Sequence, residues 1–193
     1  MKKIAIILTL CVFTLSFVCA QTYKVDAEKS TLSWLAKKVT GQHNGIVKVK
    51  SGELIFNKKV LKGGSFVIDM QSIVCDDLTD ADMNGKLIGH LKSEDFFSVA
   101  AFPESQLVLT DIKVKDKTTY NIKGKLTIKG ISNIVEFPAT LSINNNKVVG
   151  VANIKVDRTK YNIRYGSAKF FESIGDKAIN DEFELMVKLE ASK

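Results

Sequence analysis

The sequence is poor in the residue types that carry most hydrolytic chemistry. Its 193 residues include only two histidines, His43 and His90, and neither lies in a recognisable catalytic motif. The Gly-x-Ser-x-Gly motif that positions a nucleophilic serine in many hydrolases is also absent. We therefore expect no catalytic residues and interpret both histidines as structural hydrogen-bonding groups. The sequence predicts a protein that is not an enzyme.

Cysteine and proline are scarce as well, and each scarcity excludes a type of structure. Of three cysteines, only Cys75 lies beyond the first 20 residues, so that part of the chain cannot form an internal disulfide. We interpret Cys75 as a buried apolar side chain, with pairing between chains as the alternative. Two isolated histidines and one cysteine offer no close ligand cluster, which argues against a zinc site. We expect neither a metal nor a cofactor. With only two prolines, Pro103 and Pro138, most of the chain is free to form long strands.

The first 20 residues have the pattern of a secretory signal peptide. Lys2 and Lys3 precede an apolar stretch that ends in small side chains at the expected processing position. This stretch is shorter than the roughly 20 apolar residues of a membrane-spanning helix. We expect cleavage after Ala20, which makes the protein periplasmic or secreted and leaves residues 21–193 as a single domain. A lipid-modified Cys19 is the alternative.

Beyond the signal peptide, apolar and polar residues alternate with a period of two, which is typical of strands covered on one face. One strand places Val135, Phe137 and Ala139 on one face, with Glu136 and Thr140 on the other. Strands are predicted at residues 32–38, 45–56, 65–74, 106–114, 120–128, 135–143, 148–157 and 183–189. Turns are predicted at residues 62–64, 116–117, 129–130 and 144–146. Since closing the sheet buries eight apolar faces and removes free edges, we expect an all-β, antiparallel, up-and-down, lipocalin-like barrel.

The segment from Asp80 to Phe97 departs from this alternation. Apolar residues recur there at helical spacing, among them Met83, Leu87 and Leu91, and Asp80 can cap the first turn. We expect one short helix that forms a lid or plug at one end of the barrel.

The start of the same segment also resembles half of a calcium-binding loop. Residues 80–85 read DADMNG, in which oxygen-bearing side chains alternate before a glycine. Leu91 stands where such a loop requires a bidentate glutamate. We therefore interpret the segment as a solvated acidic loop that caps the helix.

The formal net charge is +7, and the lysines that carry it are scattered along the chain. Lys113, Lys115 and Lys117 alternate with other residues, which indicates a solvated sheet face rather than a nucleic-acid-binding stripe. We expect no nucleic-acid partner. A basic exterior can support peripheral contact with an anionic membrane surface. The sequence leaves open whether the protein is a monomer or a homodimer.

Seven segments, taken in order, resemble the YceI-like family of exported bacterial proteins. They are LSW at 32–34, GQHNG at 41–45, FVIDMQSI at 66–73, HLKSEDFF at 90–97, FP at 102–103, IKGKLTIKG at 122–130 and VDRTKY at 156–161. Together they span nearly all of the chain beyond the signal peptide. The resemblance implies an extended lipocalin-like barrel whose elongated apolar cavity holds a polyisoprenoid chain, with no catalytic centre.

We expect the barrel to bind or transport a long apolar lipid of this type without catalysing a reaction. A barrel of about eight strands is either filled by side chains or just wide enough for one ligand. The residues predicted to line the cavity are Trp34, Phe66, Ile68, Phe96, Phe97, Leu126, Ile128, Phe137 and Leu141. Arg158 is predicted to be a polar anchor near a mouth, with a structural salt bridge as the alternative. The alternative function is a stress-related or assembly module that binds another protein and has a filled core.

Overall fold

The computed structural model describes residues 20–193, which form nine β-strands and one α-helix. The strands are β1 Ala20–Val25, β2 Thr31–Lys38, β3 Gly41–Asn57, β4 Val60–Cys75, β5 Glu104–Val114, β6 Thr119–Ile128, β7 Ile131–Asn144, β8 Lys147–Asp157 and β9 Ile179–Ser192. The helix α1 spans Ala81–Lys92, and two short 3₁₀ helices span Arg158–Tyr161 and Gly175–Lys177. No helix in residues 20–193 is long and apolar enough to cross a membrane. The predicted signal peptide lies outside the described residues, apart from Ala20.

The strands close into a barrel with eight strand positions. Each of β2 to β8 pairs antiparallel with the next strand along the chain, and β9 pairs with β2 to complete the circle. β1 continues the position of β2, because it pairs with the second half of β3 and with the last residues of β9. This arrangement confirms the predicted antiparallel eight-strand barrel. β1 itself was not predicted, since Tyr23 is the only buried residue among its six.

The two-residue period places the core inside the barrel. In β6, Tyr120, Ile122, Gly124, Leu126 and Ile128 are all buried, whereas the residues between them are partly or fully exposed. The strands β7 and β8 show the same alternation. Burying a large apolar side chain contributes about 1.5–3 kcal/mol to stability, so the inward residues of eight strand positions hold the barrel together.

Three of the four predicted turns occur where expected. At the β6–β7 hairpin, Lys129 and Gly130 both have positive φ, at 51° and 72°, as a type I′ turn requires. The turn predicted at residues 62–64 is wrong, because Gly63 and Gly64 lie within β4. The chain reverses earlier, where Lys58 has φ 57°. Gly64 serves a different purpose, since a Cβ there would lie 2.8 Å from the carbonyl oxygen of Glu53.

The helix α1 confirms the one helix that the sequence predicts. Asp80 caps it by accepting a hydrogen bond from the Met83 backbone N–H at 2.9 Å. Leu87, Ile88 and Leu91 pack against a cluster of buried residues on β2, β3 and β4. Since β4 leads into α1 and β5 follows it, the helix lies at the end of the barrel where β4 terminates. Residues 158–178, which connect β8 to β9, lie at the same end.

Backbone pairing in the wall is interrupted where β1 gives way to β2. β1 pairs with residues 53–57 of β3, and β2 pairs with residues 41–47. Among residues 20–193, no strand pairs with residues 48–52 of β3 on that side. A surface groove bordered by Leu32, Val47 and Val49 marks this interruption.

Candidate ligand-binding site

The barrel interior is not completely filled by side chains. It contains two cavities of about 100 Å³ each. Leu32, Ile68, Leu126 and Leu185 line both of them, so the cavities adjoin. One water molecule needs about 10–15 Å³ of such space. Each cavity therefore has room for a guest several times larger than a water molecule.

The first cavity lies toward the hairpin that connects β3 to β4 and has a wholly apolar lining. Leu54, Phe66, Ile122 and Leu141 are typical of its wall, and they come from four different strands. Glycine and aliphatic or aromatic side chains form the rest of the wall. Apolar cavities of this type stay free of water and accept apolar guests.

The second cavity lies beneath α1 and the residues that follow the helix. Leu91, Phe96 and Phe97 cover it from this side, and Trp34 and Met70 line it from the strands. Its wall also includes three polar residues, Ser105, Arg158 and Asn180. Of the two cavities, only the one at the α1 end is therefore lined by polar residues.

All ten residues predicted to form the site line at least one of the two cavities. Phe66, Phe137 and Leu141 line the first cavity, and Ile68 and Leu126 line both. The second cavity is lined by the other five, which are Trp34, Phe96, Phe97, Ile128 and Arg158. Contact between these residues and a ligand stays a prediction.

The prediction missed lining residues on the strands at either side of β6 and β7. Leu107 and Leu109 project from β5, Ile154 from β8, and Leu185 and Val187 from β9. For β9 a signal was available, because its apolar residues alternate with polar ones. For β5 the alternation is weaker, since the inward face of its second half is partly exposed.

Arg158 lies in the wall of the second cavity, but its hydrogen bonds hold the protein backbone. Only 4% of this residue is exposed. Its Nε donates to the Asn180 carbonyl at 3.0 Å, and one terminal nitrogen donates to the carbonyls of Ile163 and Tyr165 at 3.0 and 2.7 Å. The other terminal nitrogen donates to the Ile179 carbonyl at 2.9 Å. Burial lowers the pKa of the guanidinium from its ordinary value. The geometry therefore supports a structural role, and the salt bridge that the sequence analysis named as the alternative is present, with a terminal nitrogen 3.7 Å from Asp181.

Tyr161 lies three residues beyond Arg158 and carries a buried hydroxyl. Only 1% of Tyr161 is exposed, and its hydroxyl has no hydrogen-bond partner among residues 20–193. Burial, with a smaller contribution from the charge of Asp157, raises the pKa of Tyr161 to about 12. An unpartnered buried hydroxyl lowers stability, because folding removes it from water without replacing its hydrogen bonds.

We expect Tyr161→Phe to stabilise the protein by about 1 kcal/mol at pH 8, because the substitution removes this unpartnered group. The Tyr161 hydroxyl ionises near pH 10 in the unfolded chain and near pH 12 in the folded protein. Below pH 10, ionisation of Tyr161 therefore does not affect the free energy of unfolding of the parent protein. As the pH rises from 10 toward 12, ionisation favours the unfolded state and this free energy decreases. From pH 8 to pH 11, the free energy of unfolding measured in urea should decrease more for the parent than for Tyr161→Phe. The exposed Tyr165 provides the control, Tyr165→Phe, and a destabilised Tyr161→Phe would disprove the interpretation.

The expectation that the histidines and Cys75 form no close ligand cluster is wrong. His43 and Cys75 are not isolated, because the pairing of β3 with β4 brings them together with Asp77. His90 lies elsewhere, within 3.0 Å of Asp95 and in edge-to-face contact with Phe96. The separation of 32 positions between His43 and Cys75 in the sequence hides their proximity.

Solved structures with this architecture come from several bacteria. BcnA of Burkholderia cenocepacia is 24% identical, with a TM-score of 0.69, and the match covers 87% of this chain and 99% of that one. A polyisoprenoid binding domain from Saccharophagus degradans is 13% identical, with a TM-score of 0.62 and coverages of 88% and 97%. The YCEI protein of Campylobacter jejuni is 15% identical, with a TM-score of 0.56 and coverages of 100% and 99%. At these identities the matches establish the shared fold. No curated protein matches the chain.

The family assignment comes from the sequence itself. The family model described as the YceI-like domain matches residues 23–191. This range extends from β1 to the penultimate residue of β9, and so includes the whole barrel, α1 and both cavities. The chain belongs to the YceI-like family.

Proposed function

We propose that the barrel binds a long apolar lipid of the polyisoprenoid type and that it does so without catalysing a reaction. The observation that carries this proposal is the pair of adjoining cavities that share Leu32, Ile68, Leu126 and Leu185. An interior that is elongated, apolar and unfilled suits a chain-like hydrocarbon. The polyisoprenoid binding domain from Saccharophagus degradans has the same fold, which supports this class of ligand.

The distribution of polar groups gives the ligand a direction. Ser105, Arg158 and Asn180 line only the second cavity, at the α1 end of the barrel. A lipid is therefore oriented with its polar end toward α1 and its tail in the first cavity. Each buried CH₂ group contributes about 0.8 kcal/mol to binding, so affinity increases with the length of tail that the first cavity accepts.

The alternative function, a protein-binding module with a filled barrel core, fits the interior less well. Side chains that filled the barrel would leave no space between Phe66, Phe137 and Leu141, whereas these residues surround the first cavity. We therefore retain lipid binding as the function that the geometry supports best. We also propose that the protein is exported to the periplasm or the medium and that it makes peripheral contact with membranes.

Filling the first cavity should remove the ligand. In Ala139→Phe a large side chain replaces a small one that is 6% exposed and lines this cavity. We expect the protein purified from its native host to yield at least about tenfold less lipid on organic extraction and mass spectrometry. Losing contact with about two CH₂ groups accounts for a tenfold change in affinity.

The neighbouring residue on β7 provides a matched control. Thr140 points to the exterior and is exposed, so Thr140→Phe adds the same ring to the opposite face of the strand. We expect Thr140→Phe to retain the lipid and both variants to unfold cooperatively on heating. If the parent protein carries no lipid and does not bind added geranylgeraniol, measured by the fluorescence of its single tryptophan, the proposal is wrong.

A further inference from the structure

His43, Cys75 and Asp77 form a compact cluster at the end of the β3–β4 ladder. The Nδ1 atom of His43 lies 2.8 Å from one carboxylate oxygen of Asp77. The Cys75 thiol donates to the other oxygen at 3.2 Å. One potential ligand atom from each of the three residues lies within 4.8 Å of the others. Nitrogen, sulfur and oxygen donors therefore converge on one point.

We propose that this cluster is a binding site for one divalent transition-metal ion of the zinc class. Zinc binds imidazole nitrogen, carboxylate oxygen and thiolate sulfur at about 2.0–2.3 Å, which places ligand atoms about 3.3–3.6 Å apart in a tetrahedron. The two hydrogen bonds in the cluster, at 2.8 and 3.2 Å, are shorter than that and reach different oxygens of Asp77. On metal binding, the Cys75 thiol releases its proton to solvent and His43 presents an unprotonated Nδ1 with its proton on Nε2. The side chains rotate so that one Asp77 oxygen faces the ion together with the nitrogen and the sulfur.

Hydrogen bonds from neighbouring residues hold Asp77 and the backbone around Cys75 in place. The Asn44 backbone N–H donates to Asp77 at 2.8 Å. The side-chain amide of Asn84, in the first turns of α1, donates to the carbonyls of Cys75 and Leu78 at 2.9 Å each. These two bonds fix the backbone on both sides of Asp77. Residues that orient the ligands in this way raise the affinity of a metal site.

The solvent exposure of the cluster and the types of its donor atoms indicate which class of ion it binds. Cys75 is 6% exposed, whereas the side chains of His43 and Asp77 are 29% and 28% exposed. One side of the site is therefore protein and the other is open to solvent, which leaves a fourth position for water. A thiolate with an imidazole selects zinc-class ions over Mg²⁺ and Ca²⁺, which prefer oxygen ligands.

A bound ion would link elements that otherwise meet only through hydrogen bonds and packing. His43 belongs to β3, Cys75 ends β4, and Asp77 begins the connection to α1. The site therefore connects the strand pair to the segment that leads into the helix over the second cavity. It lies outside the lining of both cavities and is independent of the lipid proposal.

Cobalt substitution tests the site directly, because a cobalt–thiolate bond absorbs in the near ultraviolet. We expect the exported protein, freed of metal by a chelator, to develop this band with one equivalent of Co²⁺ and to lose it when Zn²⁺ is added. Cys75→Ala should abolish the band, and His43→Gln should weaken binding at least about tenfold. His90→Gln is the matched control, because His90 also pairs with a carboxylate, at 3.0 Å, but without a thiol. It should bind as the parent does.

Two results would overturn the proposal. One is a parent protein without a stoichiometric band, and the other is a band that His43→Gln leaves unchanged. Circular dichroism establishes that the variants fold. If Cys75→Ala fails to fold, alkylation of Cys75 in the parent protein decides instead. Zn²⁺ should slow this alkylation at least tenfold, and an unchanged rate would count against the site.

Discussion

Replacing Arg158 with leucine is expected to lower the free energy of unfolding by about 3–5 kcal/mol, one of the two largest effects that we predict. The guanidinium donates to four backbone carbonyls, those of Ile163, Tyr165, Ile179 and Asn180. Leucine fills part of the volume but leaves these carbonyls without a donor in a buried site. Equilibrium unfolding in urea measures the loss.

Two further variants separate the role of Arg158 in structure from a role in ligand binding. Arg158→Lys keeps the charge, but one ammonium group cannot reach four carbonyls, so we expect it to recover only part of the stability. Lys160→Met, at an exposed neighbouring position, should change stability by less than about 0.5 kcal/mol. If Arg158→Leu loses lipid but unfolds like the parent, Arg158 is the polar anchor of the original prediction.

Gly45→Ala is expected to destabilise the protein by a similar amount, about 3–5 kcal/mol, or to prevent folding altogether. A Cβ at Gly45 would lie 1.9 Å from the carbonyl oxygen of Val74 and 2.9 Å from the Cα of Cys75. Both contacts are with backbone, which cannot rotate away as a side chain can. To make room, β3 and β4 must separate at the point where the ladder ends.

Gly41 begins the same strand and serves as the control. A Cβ there meets no atom within 4 Å, so Gly41→Ala should leave stability within about 0.5 kcal/mol of the parent. Thermal and urea unfolding of the two variants give the comparison. Equal stability of Gly45→Ala and Gly41→Ala would show that β3 and β4 are farther apart than described here.

Much of the fold could be predicted from the sequence because its signals are local. Period-two alternation identified eight strands, and the helical spacing of Met83, Leu87 and Leu91 after Asp80 identified a capped helix. β1 escaped notice because one buried residue, Tyr23, cannot establish a period. The pair Gly63-Gly64 was misread as a turn, since a glycine needed for close approach of two strands looks the same in sequence as one needed for a turn.

The site was predictable in part for the same reason. Inward positions such as Phe137 and Leu141 follow from alternation, and all ten chosen residues do line the cavities. The extent to which side chains fill a barrel depends on register and closure, which alternation does not specify. The cluster of His43, Cys75 and Asp77 depends on the register of β3 with β4, where a shift follows Ile46. No local pattern contains that information.

The seam between β1 and β2 gives the barrel an anisotropic wall. Where neighbouring strands pair, separating them breaks a ladder, at about 1 kcal/mol for each hydrogen bond. At residues 48–52 of β3 there is no ladder to break on the β1–β2 side. Leu32 and Val49 border the groove at this gap on the outer surface of the barrel, and they also line the first cavity in its interior. Solvent, small apolar molecules or a lipid tail crossing the wall there would break no backbone ladder between β1–β2 and β3, at the flank of the barrel and away from its capped end.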